Sequence, residues 1–329
     1  MNRTLIFGVG SIGQRHINSL LKIGEKNIAA FRTKKGMLEL DKSIEEAIIN
    51  FYCIEEAFKW QPTHIIISNP TSLHLEYISE SIKTNARIFV EKPMVEDYAK
   101  VIGNKILYDK ILVSNGMVGF NLRFHSLFIE IKKLIVNNKY GRPLTAYFHV
   151  GHYLPFWHTY EDYKNSYVAK KNLGGGALRT LSHEIDLTRF FFGSFKKVFA
   201  KISKLSNLEI NTDDTADLLI ENVDCPRTVI HLDLLNPILK RCGHIYFEKG
   251  LLEYDFITSK IEFTSYDLKE RVTIYDKKED YNLQYIRQMN SFLYGSDILG
   301  CSFKEGLEVA EIIYNCEKSD KDGIEICLN

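Results

Sequence analysis

The sequence carries no surplus of charge of either sign. Its 42 Lys and Arg residues face 42 Asp and Glu, so no global field draws the chain to nucleic acid or to an anionic membrane surface. Any basic site must be local. No apolar run approaches the length needed to cross a bilayer, and the first residues lack the charged, apolar and small-residue regions of a signal peptide. A cytoplasmic protein is expected. The six cysteines (Cys53, Cys225, Cys242, Cys301, Cys316 and Cys327) form no C-x-x-C pair, which fits reduced thiols better than a disulfide framework or a zinc site. Internal repeats and low-complexity linkers are also missing. What remains is 329 residues, 45% of them hydrophobic, enough for about two globular domains.

Among what is present, Thr4-Leu-Ile-Phe-Gly8-Val-Gly10-Ser11-Ile12-Gly13-Gln-Arg-His16 stands out. A short apolar strand runs into G-x-G-x-x-G and then into Ile17, Leu20, Leu21 and Ile23 at helical spacing. That context fits a dinucleotide site: Gly8 permits the tight turn, Gly10 lets the backbone approach a pyrophosphate, and Gly13 lets helix and strand pack closely. A second strand, Asn27 to Phe31, ends in Arg32-Thr33-Lys34-Lys35. A carboxylate there would bond the ribose 2′-hydroxyl of NAD, whereas Arg32, Thr33 and Lys34 offer donors and positive charge to a 2′-phosphate. NADP(H) is therefore favoured, with NAD(H) possible, since an Arg32 that stacks on adenine serves either cofactor.

Helical spacing through Ile44, Ala47, Ile48 and Phe51 precedes a buried parallel strand, His64 to Ser68, that ends in Asn69-Pro70-Thr71. In a doubly wound sheet the carboxyl ends of the strands line the ligand crevice, which places Asn69, Pro70 and Thr71 beside the cofactor. His74 heads the next helix, to Thr84, and Arg87 to Val90 delivers Glu91-Lys92-Pro93. A lysine at that strand end suits hydride chemistry, because its ammonium can stabilise a developing alkoxide. Ile111 to Asn115 reads as the next strand. A helix from Ser126 to Asn137 then gives way to consecutive strand patterns at 144–150, 197–204, 214–221, 227–234, 244–247, 251–257 and 260–264, which imply a largely antiparallel sheet. The expected fold is α/β: an N-terminal Rossmann dinucleotide-binding domain over 1–119, and over 120–329 an α+β domain with a large, open, mainly antiparallel sheet.

The glycine turn, Asn69-Pro70-Thr71 with His74, Glu91-Lys92-Pro93, Gly119-Phe-Asn121-Leu-Arg123-Phe, and Gly174-Gly-Gly-Ala-Leu-Arg179-Thr180-Leu-Ser-His183-Glu-Ile-Asp186 occur in one order. Together they resemble the Gfo/Idh/MocA oxidoreductases, the glucose–fructose oxidoreductase and inositol dehydrogenase family, over nearly the whole chain. The resemblance implies NAD(P)-linked oxidation or reduction of a sugar, nucleotide sugar or cyclitol, with the open sheet as the interface of a homo-oligomer. It matches Lys92 to the catalytic lysine and His183 to the active-site histidine, and sets Asn69, Pro70, Glu91 and Arg123 around nicotinamide and substrate. The family's aspartate four residues ahead of that histidine is absent: Arg179 stands there, followed by Thr180.

Histidine is a natural proton carrier near neutral pH, so Lys92 and His183 are the expected relay, and Asp186, three residues on, either orients the imidazole or packs the helix. Asn121, Arg123, Arg179 and Thr180 join Lys92 and His183 as expected substrate contacts. So do Trp157 and Tyr163 from the ring-rich 152–167 segment, whose aromatics and hydroxyls suit a carbohydrate. His149, His152 and His158 lack an acidic or thiol partner at ligand-like spacing, so no metal is expected. Two other classes remain open: a non-catalytic cofactor-binding sensor or scaffold, and a reductase of a non-sugar substrate.

Overall fold

Thr4–Phe7 (β1) is buried at all four positions, as a strand covered on both faces must be. In the computed structural model, which describes residues 2–33, 40–157, 162–267, 269–295 and 299–328, β1 leads into helix Ser11–Ile23 (α1). That helix stops at Gly24, whose left-handed φ of 97° closes the last turn. The chain continues through Ile28–Phe31 (β2), Lys42–Ala47 (α2), Ile49–Phe51 (β3), Ile54–Lys59 (α3), His64–Ile67 (β4) and His74–Ser81 (α4). Arg87–Val90 (β5), Tyr98–Ile102 (α5), Lys105–Val113 (α6) and Gly116–Val118 (β6) complete the alternation. The six strands are parallel in the order β6-β5-β4-β1-β2-β3, so strand order reverses at β1. A doubly wound sheet takes its ligand at such a reversal.

Three expectations fail here. Phe51 belongs to a strand: α2, capped by the Asp41 carboxylate on Ser43 N, ends at Ala47, and Ile48 is already extended before Phe51 pairs with Phe31. The run Ile111 to Asn115 is the end of α6 and its exit, because Asn104 caps that helix by accepting from Leu107 N at 3.1 Å. Only Ile111 faces inward, whereas Val113 is 86% exposed, and the strand starts at Gly116. The helix from His74 also ends earlier than expected, at Ser81.

The other sheet is built from long strands, with helix Ser126–Val136 (α7) before them. Its members are Pro143–Gly151 (β7), then, after short helices Ala177–Thr180 (α8) and His183–Phe192 (α9), Phe195–Ser203 (β8), Thr215–Asn222 (β9) and Thr228–Asp233 (β10). Lys240–Phe247 (β11), Gly250–Asp255 (β12), Lys260–Ser265 (β13) and Arg271–Asp276 (β14) follow. After Leu283–Tyr294 (α10), Cys301–Ser302 (β15) adds antiparallel to β6, and Phe303–Asp322 (α11) precedes Ile326–Cys327 (β16), which adds to β8. The order is β14-β13-β12-β11-β7-β10-β9-β8-β16, antiparallel except for β7 beside β10. Alternation sorts the two faces. Phe148 and Ile230 are buried on the face where α9 supplies Phe191 and Phe192, and Phe148 lies 6.2 Å from each of those rings. On the opposite face Phe199 and its cross-strand partner Leu219 are each 40% exposed.

The chain divides into two compact units, Met1–Phe124 with Asp280–Ala310, and His125–Glu279 with Glu311–Asn329. Relative to the expected boundary at 119/120, the first unit thus takes in α10 as well. Met289, Phe292 and Leu293 of α10 share one core with Ile6, Ile17, Leu20 and Phe89. Gln284 and Gln288 are fully buried on the same helix and break its apolar spacing, which hides that packing face in the sequence.

Candidate functional site

In the first unit, three strand ends meet at the glycine turn. Gly8 has φ +93°, and a Cβ there would lie 2.6 Å from Asn69 N, while a Cβ on Gly13 would lie 2.1 Å from Gly8 O. Ser68 Oγ donates to Gly8 O at 2.8 Å, which fixes the turn to the end of β4. These two glycines are demanded by the protein's own backbone. Gly10 is different: its φ of −67° is open to any residue, and a Cβ would meet nothing within 4 Å. The need for glycine at that position points outward, to a ligand. Gly10 caps α1 with no side-chain bond, and the first turn, where Ser11 is exposed and Ile12 half-buried, holds no acidic residue. Free N–H groups without a nearby carboxylate suit a pyrophosphate. The Asn69 side-chain oxygen is buried with no hydrogen-bond partner among the described residues, so a bound dinucleotide has a polar atom to satisfy. The residues present therefore fit the cofactor.

Lys92 sits where β5 ends, half-buried, joined to Pro93 by a cis peptide bond. Two buried side chains hold this tip. One Glu91 carboxylate oxygen lies 2.7 Å from His16 Nε2 of α1, and the other accepts from Lys92 N at 3.1 Å. Gly119, just past β6, leaves the room: a Cβ would approach the Glu91 carboxyl to 2.9 Å. His74 spans the gap between neighbouring strand ends, its Nδ1 3.0 Å from Pro93 O and its Nε2 2.9 Å from Asn69 O. Burial lowers the His74 pKa, so the imidazole is neutral near pH 7 and donates its single proton to one of the two carbonyls. Pro70 and Thr71 lie in the short turn between Asn69 and His74.

His16 is the residue that the sequence reading did not place in the site. It follows Gly13 by three positions, on the helix face that also buries Ile17 and Leu20, and that spacing was the available signal. At the end of β2, the Arg32 Nη1 is 2.9 Å from Glu45 Oε1 and 3.4 Å from Asn50 Oδ1, and Thr33 is exposed. Lys34 lies outside the described residues. Asn121 and Arg123 are in the buried turn after β6, where the fully buried Arg123 guanidinium reaches Glu305 and Gly300 O at 3.3 Å.

In the second unit, the glycine-led helix is two helices. Gly176 at φ +104° has Asp213 against it, and Asp213 caps α8 by accepting from Leu178 N at 2.9 Å. The helix ends at Thr180, Leu181 and Ser182 turn, and His183 opens α9. Arg179 and His183 are thus not one turn apart on a continuous helix. The Arg179 Nη2 is 2.7 Å from Glu317 Oε1 of α11. His183 is half-buried, Thr180 and Asp186 are buried, and Glu184 is tied to Arg241 of β11 at 2.7 Å with none of the Glu184 side chain exposed. Trp157 and His152 rings are 5.7 Å apart, and the Tyr163 hydroxyl accepts from Glu209 N at 3.3 Å. His158 lies outside the described residues.

Two family models match the chain. One, an oxidoreductase family with an NAD-binding Rossmann fold, covers residues 2–105, and the other, the GFO/IDH/MocA C-terminal domain, covers residues 128–253. The uncharacterized oxidoreductase YrbE of Bacillus subtilis is 27% identical over 226 residues, 65% of this chain and 61% of that protein. Glucose-6-phosphate 3-dehydrogenase of Bacillus subtilis is 22% identical over 231 residues, 68% of this chain and 62% of that relative. The match thus spans less than two thirds of either relative's length. Levoglucosan dehydrogenase in complex with NADH shares the fold, with a TM-score of 0.85 and 18% identity over 100% of both chains.

The contrast between glycines gives a direct check. Gly10→Ala should leave the thermal unfolding of the chain unchanged and weaken NADPH or NADH binding at least ~10-fold, as a methyl meets the pyrophosphate rather than the protein. Gly13→Ala should lower stability by about 1–3 kcal/mol, because the methyl is forced against backbone. Equal nucleotide affinity in Gly10→Ala and wild type, measured by fluorescence titration, would remove the dinucleotide from this turn.

Proposed function

The chain belongs to the Gfo/Idh/MocA oxidoreductases, and on that footing we propose that it transfers a hydride between a nicotinamide cofactor and a hydroxyl or keto carbon of a sugar, nucleotide sugar or cyclitol. The observation that carries the reading is the construction of the Lys92 tip, held by Glu91 on His16 and by His74 between the Asn69 and Pro93 carbonyls. A bound nicotinamide supplies the hydride chemistry. The protein's own work is then electrostatic and protic. Lys92 stabilises the alkoxide, and His183 gives or takes the proton. Asp186, buried in the first turn of α9, orients that imidazole.

Of the residues expected at the substrate, Arg123 and Arg179 act as positioning groups through Glu305 and Glu317. Asn121, Trp157, Tyr163 and Thr180 complete the polyol site. NADP(H) remains the favoured cofactor: Glu45 is 52% exposed, so its hold on Arg32 is a solvent-screened pair that a 2′-phosphate can displace. A homo-oligomer formed through the open sheet face covers Phe199 and Leu219. No helix among the described residues is long and apolar enough to cross a membrane. The sensor reading draws on Arg179, which stands where the family resemblance expects a relay carboxylate and pairs with Glu317.

Turnover decides between enzyme and sensor. His183→Ala should lose ~10²–10⁴-fold in kcat on a sugar or cyclitol substrate while NADPH affinity stays at the wild-type value. Tight NADPH binding with no wild-type turnover across a broad polyol panel would favour the sensor, and turnover confined to imines or aryl diols the non-sugar reductase. Arg32→Ala should weaken NADPH about 10–100-fold and leave NADH unchanged, and a parallel loss for both cofactors would withdraw the 2′-phosphate assignment. Light scattering of the wild type should report a dimer or tetramer that Leu219→Lys dissociates. A monomeric wild type would end the oligomer reading.

A further inference from the structure

Because β7 and β10 run parallel in the second unit, His149 and His231 stand in direct register. Both project from the face opposite the α9-covered core, with ring centroids 4.9 Å apart. Asp233, two residues beyond His231, points the same way. Its Oδ2 lies 2.8 Å from His149 Nε2 and 3.5 Å from His231 Nε2, and one ligand atom from each residue falls within 4.8 Å of the others. No other group of three His, Cys, Asp or Glu side chains comes this close among the described residues. A tetrahedral ion with ~2.1 Å bonds sets its ligand atoms about 3.4 Å apart, so the observed spacings bracket the requirement.

Three further features show that the arrangement is built rather than incidental. Asp233 is only 4% exposed, and its Oδ1 is fixed by the backbone N–H groups of Leu235 at 2.9 Å and Asn236 at 2.7 Å, leaving Oδ2 to point at the histidines. Gly151, the register partner of Asp233, leaves the space for that carboxylate, since a Cβ there would lie 2.3 Å from Oδ2. Asp217 of β9, opposite His231, sits 2.6 Å from the Nδ1 of His231. That is the way a carboxylate behind a ligating histidine fixes its tautomer and turns Nε2 toward a metal.

We propose that His149 Nε2, His231 Nε2 and Asp233 Oδ2 form a binding site for a divalent cation of the zinc class, with Asp217 as the positioning residue and a fourth place for water. Two imidazoles and one carboxylate make a borderline donor set, which selects zinc-like ions over magnesium or calcium. The site is independent of the oxidoreductase reading: it uses no residue of the glycine turn, the Lys92 tip or the His183 helix.

The untagged full chain, stripped with chelator and titrated with zinc chloride, should take up one equivalent per chain. Cobalt chloride in its place should give the intense visible absorption of a tetrahedral complex. His149→Ala and His231→Ala should each weaken the one-to-one binding more than ~100-fold. Asp217→Asn, at a position whose side chain is 60% exposed, should weaken it about 10–100-fold with the stoichiometry kept. Circular dichroism identifies any variant that has failed to fold, and either histidine variant suffices. Absence of saturable zinc uptake, or affinity unmoved by both histidine substitutions, would overturn the site and leave a hydrogen-bonded network in its place.

Discussion

A carboxylate removed from water must find partners, and the partners of Glu91 fix the geometry of the nucleotide-binding unit. His16 reaches it from the helix that follows the glycine turn, the Lys92 amide from its own strand end, and Gly119 gives it space past the neighbouring strand. The rotation of α1, the tip bearing Lys92 and the exit of β6 are therefore set by one group. His74 repeats the device one strand over, with a neutral imidazole between two carbonyls. The tripeptide Glu91-Lys92-Pro93 is thus a joint between the strand ends.

The second unit solves the same problem with a full ion pair. Glu184 and Arg241 connect α9 to β11 from within the unit, and the position of His183 at the head of α9 follows from what comes immediately after it. The break at Leu181 and Ser182 separates the histidine from α8, whose own start is held by Asp213. The Arg179 guanidinium is received by Glu317 of α11, which ties α8 to that helix within the unit.

Strands whose burial is uniform or cleanly alternating were legible in the sequence. Thr4 to Phe7, His64 to Ile67 and the sheet strands from β7 to β13 declared themselves by apolar pattern, whereas β14, with no buried position, did not. The failures have physical causes. Ile111-Leu112-Val113 reads as a strand until Asn104 is recognised as a helix cap, and α10 hides because buried Gln284 and Gln288 interrupt its spacing. Pairs that meet only in the fold were not legible: Glu91 and His16 are separated by 75 positions, and His149 and Asp233 by 84. The histidine trio at 149, 152 and 158 followed sequence proximity, whereas the sheet assembles its cluster by register.

The nucleotide-binding unit is drawn from both sides of the sheet unit, and this orders events on the ribosome. Its core lacks Met289, Phe292 and Leu293 until those residues have been synthesised, long after β1 to β6 have left the exit tunnel. The stretch from His125 to Glu279 emerges earlier and carries nearly all of its own sheet. The part of the chain that is made first is therefore finished late: the core around Ile17 and Leu20 can close only after the sheet unit has been synthesised.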